Sequence, residues 1–364
     1  MCAPFYGQFP APSVATRRAR RALSGEQVKI DVDMCSIPRR GGVTRSLGAL
    51  LVAALATASA ASAAPWPGSA ATHPGRGPTH LTVARERRAL PLNLLIAQAG
   101  GRVVSISPRG QVVWGLRQAD PTQVFVTRTG RTLIVAEANR GTVAMRRIDD
   151  RRVSYSYRAL ASPRTALETA NGELVVADAG RCEIVFLSPA RARPVETLGA
   201  QDRCSHRPPA GFASPVAAFP SAGGELVVTE RGWIDVLSAR GALMRAIALH
   251  GLRRPADANA YGADGLIVAD QSNPGRVEEL DRVTGAVRWS YGPHSGRGRL
   301  DRPALATVLA DGAVLVVDSG NDRVIVIDRR TKRIVWQYGH SGVAASRPGY
   351  LDDPRSAVLV PLGR

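Results

Sequence analysis

His294 and His340 sit in nearly the same phrase, Tyr-Gly-Pro-His-Ser-Gly at 291–296 and Tyr-Gly-His-Ser-Gly at 338–342. His206 and His250 follow comparable stretches, so four of the six histidines recur at related places. Polar residues that close apolar runs recur as well: Gln98, Glu137, Asp178, Glu230, Asp270 and Asp318. Imidazoles and carboxylates brought to one point hold a divalent metal, and zinc asks for three or four such ligands at about 2.0–2.2 Å. The same groups serve as general acids and bases. His206, His250, His294, His340, Asp270 and Asp318 are therefore the candidate ligand or metal set. Each also has a plainer reading. An acid at a strand end pairs with a nearby Arg, as Asp318 with Arg323 or Asp270 with Arg276, or caps a turn. A histidine in a loop is simply solvated. No phosphate-binding loop, nucleophile elbow or zinc-protease motif occurs, so no catalytic residue is assigned. Gly100-Gly101 reads as a hairpin turn.

What positions these residues is a repeat. The acidic column advances by 39, 41, 52, 40 and 48 residues. Prolines at 121, 163, 215, 255 and 303 precede it by 16, 15, 15, 15 and 15 residues. Three residues after each proline stands a small or modest apolar residue: Val124, Ala166, Ala218, Ala258 and Ala306. Each unit thus reads as four strands, and about 40–50 residues per four strands is the period of a β-propeller blade. Small residues suit the first strand, nearest the crowded axis. Trp114, Trp289, Tyr291, Trp336 and Tyr338 fall on fourth strands, where blades splay apart and rings fill the wedge.

The two ends complement each other. Pro354 and Ala357 begin a unit that stops before its second strand, while the first unit, from Pro91, lacks its Pro-Ala strand. The expectation is an all-β, six-bladed propeller of four-stranded blades over residues 91–364. Its C-terminal strand completes the first blade and removes a sheet edge.

Pro-x-x-Ala, then Val-Ala-Asp at 268–270, then Asn321-Asp322-Arg323-Val324 resemble NHL repeats. Asp281-x-x-Thr284-Gly285-x-x-x-Trp289 resembles the docking pattern of PQQ-like repeats. Asp328, Thr331 and Trp336 repeat it, with Lys332 in place of Gly. The resemblance implies an exported bacterial propeller and leaves the activity open, because propellers host many functions. Metal-using lyases and hydrolases of lactones or esters occur among NHL-like propellers, but no ligand motif is shared beyond the repeat. Quinone-dependent dehydrogenases are larger, usually eight-bladed and often carry adjacent cysteines, so PQQ is not expected as a cofactor. No cofactor is assigned, and a divalent metal stays open.

Residues 34–63 read as a secretory signal peptide. Arg39, Arg40 and Arg45 form the basic region, Leu47 to Ala56 the apolar run, and Ala61-Ser62-Ala63 the cleavage site. A retained membrane anchor is the other reading, although the apolar run is short for a span. Residues 1–33 then read as an extended or mis-assigned start, and 64–90 as a linker. Removing residues 1–63 leaves Cys182 and Cys204 and a net charge of +13. Two cysteines in an exported chain point to one disulfide, with two buried free thiols as the alternative.

Of the 48 basic residues, 46 are Arg, and they are spread over all units. That charge suits weak polyanion binding. Without a clustered basic stretch and stacking aromatics it does not suggest specific nucleic-acid recognition. The expected protein is a monomer, secreted or in the cell envelope, without a transmembrane span after cleavage. It acts as a non-enzymatic binding scaffold for a protein, glycan or small ligand. The alternative is a metal-assisted lyase or hydrolase on the histidine-bearing face.

Overall fold

The computed structural model describes residues 89–200, 204–221 and 223–360. The expected signal peptide, the N-terminal extension and nearly all of the linker lie outside the described residues.

Among the described residues, twenty-four strands form six antiparallel four-stranded sheets. Blade 2 is β4 (Pro121–Val126), β5 (Thr132–Glu137), β6 (Thr142–Arg147) and β7 (Val153–Tyr157). Blade 3 is β8 (Pro163–Glu168), β9 (Leu174–Asp178), β10 (Glu183–Leu187) and β11 (Pro194–Gly199). Blade 4 is β12 (Ala217–Pro220), β13 (Leu226–Glu230), β14 (Trp233–Leu237) and β15 (Leu243–Ala248). Blade 5 is β16 (Pro255–Tyr261), β17 (Gly265–Asp270), β18 (Arg276–Asp281) and β19 (Val287–Tyr291). Blade 6 is β20 (Pro303–Val308), β21 (Val314–Asp318), β22 (Arg323–Asp328) and β23 (Arg333–Gly339). Blade 1 joins the chain ends: β1 (Asn93–Gln98), β2 (Arg102–Ile106) and β3 (Val112–Arg117) take β24 (Pro354–Val360) as their inner strand. The pairing of β24 with β1 runs from Asn93 opposite Val360 to Gln98 opposite Pro354.

Burial follows position within a blade. Middle strands are covered on both faces by neighbouring blades, so β9, with Leu-Val-Val-Ala-Asp, is buried at every residue and shows no alternation. Outer strands face solvent, and β3 has no fully buried residue. The core is six apolar clusters, each spanning two adjacent blades. One joins Ile96 and Val104 of blade 1 to Val317 and Val326 of blade 6. Another joins Val176 of blade 3 to Ile134 of blade 2. Small inner-strand residues are fully covered, as with Ala166, Ala218, Ala258 and Ala306.

The inner strands are stitched across blades by side chains two residues after the blade-opening proline. Ser356 accepts the Val124 N–H at 2.8 Å, Gln123 the Ala166 N–H at 2.6 Å, and Thr165 the Ala218 N–H at 3.1 Å. On the outside, Trp289 of blade 5 donates its indole N–H to Arg329 of blade 6 at 3.0 Å. The PQQ-like docking pattern is thus a physical joint between blades.

Removing residues 354–364 takes away the inner strand of blade 1 and exposes both β1 and the flank of blade 6. Circular-dichroism melts of the truncated and full chains should show loss of the cooperative transition. An unchanged Tm would show that the ring does not depend on this pairing.

Candidate functional site

The acidic column has one recurring task. At the end of each second strand, the side chain reaches back to the link that enters the same blade. Asp178 accepts the N–H groups of Ala161 and Ser162 at 2.8 and 2.7 Å. Asp270 accepts that of Arg254 at 2.8 Å, Asp318 that of Asp301 at 2.8 Å, and Gln98 that of Asp352 at 2.9 Å. Glu230 accepts the Ala213 N–H in the same way. The column side chains are buried, so leaving them without a hydrogen bond would be costly. The expected arginine pairs are also present: Arg323 lies 2.8 Å from Asp318, and Arg276 lies 3.9 Å from Asp270. Burial pushes the Asp318 carboxyl up, opposed by Arg323.

Blade 4 departs from this plan. In the strand register, Glu230 faces Trp233, and Val228 faces Asp235. The residue opposite the column is Arg102 in blade 1, Thr142 in blade 2, Glu183 in blade 3, Arg276 in blade 5 and Arg323 in blade 6. In blade 4 it is an indole, which brings no charge. Residues aligned with Asp235 are Val104, Ala144, Val185, Glu278 and Ile325. Glu278 has Arg276 at 3.2 Å. Asp235 has no Lys or Arg partner among the described residues, and neither of its carboxylate oxygens accepts a hydrogen bond. Its burial and the neighbouring Glu230 carboxylate push the Asp235 carboxyl well above the ordinary range.

His206 completes the group. Its ring stacks on Trp233 with centroids 4.2 Å apart and planes 6° apart. Its Nδ1 hydrogen-bonds Glu230 Oε1 and lies 3.7 Å from Asp235 Oδ2. One ligand atom from each of the three residues lies within 4.8 Å of the others. Both carboxylates are fully buried, whereas the His206 side chain is 22% exposed.

The loop carrying His206 is held by its own sequence. Cys204 is bonded to Cys182 in the turn between β9 and β10, with Cα atoms 5.2 Å apart. Gly199 donates to Pro209 at 2.8 Å, and Arg207 and Gly211 pair through their backbones. Phe212 is fully buried between blades 3 and 4. Gly199 has φ of +91°, and a Cβ there would lie 2.6 Å from the Cys182 carbonyl, so the loop needs glycine at its start.

The other candidates lie apart. His250, His294 and His340 are exposed, and His340 stacks on Tyr350 at 4.1 Å. The histidines follow four different blades, and their links are spread around the rim. Among the described residues only His206 joins a group of three metal-ligating side chains. Asp270 and Asp318 serve as link caps and are not part of it. Sequence reasoning placed His206 in the candidate set, had Glu230 only as a column member, and missed Asp235. The available signal was a carboxylate where four other blades carry Val, Ala, Val and Ile.

The axis holds two cavities. One, of about 80 Å³, is lined by Thr122, Arg164, Asp257, Gln271 and Arg355 among others. The other, of about 260 Å³, is more apolar, with Phe125, Phe219 and Leu309. Burial pushes the Asp257 carboxyl up to about 8, against the hydrogen bond from Asn259.

The fold and its docking joints define a six-bladed propeller of PQQ-like repeats. The sequence profile of the family described as outer membrane protein assembly factor BamB matches residues 99–337, and the chain belongs to that family. No curated protein sequence matches the chain. Among solved structures, a protein of unknown function from Bacteroides caccae is 16% identical, with a TM-score of 0.54 over 68% of this chain and 93% of that one. The Cps50 (Swd1) β-propeller domain of Myceliophteria thermophila is 16% identical, with a TM-score of 0.51 over 67% and 81%. Virginiamycin B lyase from Staphylococcus aureus is 12% identical, with a TM-score of 0.50 over 68% and 82%. These likenesses concern the fold.

Replacing Cys182 and Cys204 together by Ser frees a loop spanning 22 residues. Denaturant unfolding should show a loss of about 3 kcal/mol, and an unchanged midpoint would contradict the tether. Asp257 gives a pH test. Between its unfolded value of 3.8 and its folded value of about 8, the folded chain retains a proton that the unfolded chain has released. This group's contribution to stability therefore falls as pH rises through that window. The Tm of Asp257→Asn relative to wild type should climb by about 5 °C from about pH 5 to about pH 8. A flat difference would refute the buried, protonated carboxyl.

Proposed function

We propose that the protein is a non-enzymatic interaction scaffold of the cell envelope and that its partner is a protein. The observation that carries this is the outer rim. Seven of the exposed large apolar side chains lie on outermost strands: Val112, Val113, Val153, Val195, Leu243, Met244 and Val287. Those strands have an open edge, where backbone groups are free to pair with an added strand while apolar side chains give the grip. A polypeptide partner fits such a surface better than a glycan. The family's description as an assembly factor supports the reading, and the cysteine pair is compatible with an oxidising compartment.

A metal-assisted lyase or hydrolase is the second reading, favoured by the group of His206, Glu230 and Asp235. Neither axial cavity is lined by these residues.

A photo-crosslinking side chain placed at Val113, Met244 or Val287 in living cells tests the scaffold. The protein should fractionate with the envelope, and the same partner should be captured from rim positions but not from Asp257 at the axis. Val113→Asp with Met244→Asp should abolish capture while changing stability by only about 0.5 kcal/mol. Capture that ignores position, or survives the double substitution, sinks the proposal.

A further inference from the structure

We infer that His206, Glu230 and Asp235 form a binding site for one divalent transition-metal ion, zinc in the first instance. The case begins with charge. Two wholly buried carboxylates stand on one face of blade 4, and no Lys or Arg pairs with either among the described residues. In blades 2 and 3 Glu137 and Asp178 are met by N–H donors alone, and in blades 5 and 6 an arginine opposite the column, Arg276 or Arg323, answers such acids. Here that position is Trp233, which carries no charge and instead braces the His206 ring. A buried charge is tolerated when it is paired or coordinates a metal.

The second observation is the orientation of unused atoms. Both Asp235 oxygens are buried without a hydrogen-bond partner. Oδ2 lies 3.7 Å from His206 Nδ1, a separation close to that of two ligands on one tetrahedral ion. Glu230 divides its work: Oε2 caps the Ala213 N–H, and Oε1 turns toward His206. One nitrogen and two carboxylate oxygens are thus gathered within 4.8 Å.

The chemistry of the set selects the ion. Calcium and magnesium prefer oxygen alone, whereas an imidazole with carboxylates suits zinc and its neighbours. Two carboxylates balance the charge of a divalent ion. The partial exposure of His206 leaves a side for water or a fourth ligand. The disulfide two residues before His206 holds this ligand's loop against the blade.

The test uses the full exported chain, stripped with chelator and titrated separately with zinc, manganese and calcium. Elemental analysis should find one zinc per chain, and calorimetry should rank zinc above calcium. His206→Ala and Asp235→Asn should each weaken zinc binding on the order of 100-fold. His250→Ala and His294→Ala should leave it unchanged. Asp235→Asn is nearly isosteric, so it decides the matter if His206→Ala fails to fold. Absence of zinc binding overturns the site, as does binding that survives Asp235→Asn, which would assign it to surface histidines. The scaffold reading stands or falls separately, on the crosslinking.

Discussion

Everything in this molecule depends on one antiparallel pairing, that of β24 with β1. Each blade buries its middle strands only because a neighbour covers both faces, so no blade is stable alone. A row of blades would leave two apolar flanks bare. Closing the row into a ring removes both at once, and a shared sheet is the joint that does it. The cluster between blades 1 and 6 contains residues contributed by both chain ends, including Leu94, Leu351 and Ala357. The small residues near the axis and the rings near the rim are consequences of that closure, since blades converge inward and diverge outward.

The second constraint is the price of irregular backbone between blades. Each link leaves the ladder of strands, and its N–H groups need acceptors. The fold answers with a side chain from the nearest strand end, whether Gln98, Asp178, Asp270 or Asp318. Acids at these places look like candidate ligands in the sequence but act as fasteners. Blade 4 keeps the fastener in Glu230 and adds Asp235, His206 and Trp233 around it. The same geometry that serves structure in five blades has become a potential chemical site in one.

Much of the fold was legible because the ring repeats a strict local arithmetic. The spacing from Pro163 to Asp178 recurs from Pro255 to Asp270 and from Pro303 to Asp318. Closure could be read from Pro354 and Ala357, which open a unit with no continuation. The site was far less legible. His294 and His340 share a phrase because their blades share a plan, and that plan sets them on separate links. Likeness in a repeat signals equivalent positions, which in a ring are held apart. Asp235 shows the opposite principle. It matters because its blade breaks the pattern, and one substituted strand position is a faint signal. The stitches from Ser356, Gln123 and Thr165 were also hidden, since each joins strands from different units.

The closing pair has a consequence in time. Gln98 and Asp352 are 254 residues apart in the chain, and they meet only when the last strand exists. A ribosome or a translocation channel delivers the chain from its N-terminus, so β1 to β3 wait as a three-stranded sheet until almost all the rest has emerged. Long-range strand pairing of this kind is slow and leaves apolar edges bare meanwhile. The nascent chain is therefore most open to chaperones, and to wrong partners, throughout its synthesis rather than at its start. Moving the seam to a loop between two blades, by joining the ends through blade 1 and cutting elsewhere, would change which blade waits while leaving the finished ring the same.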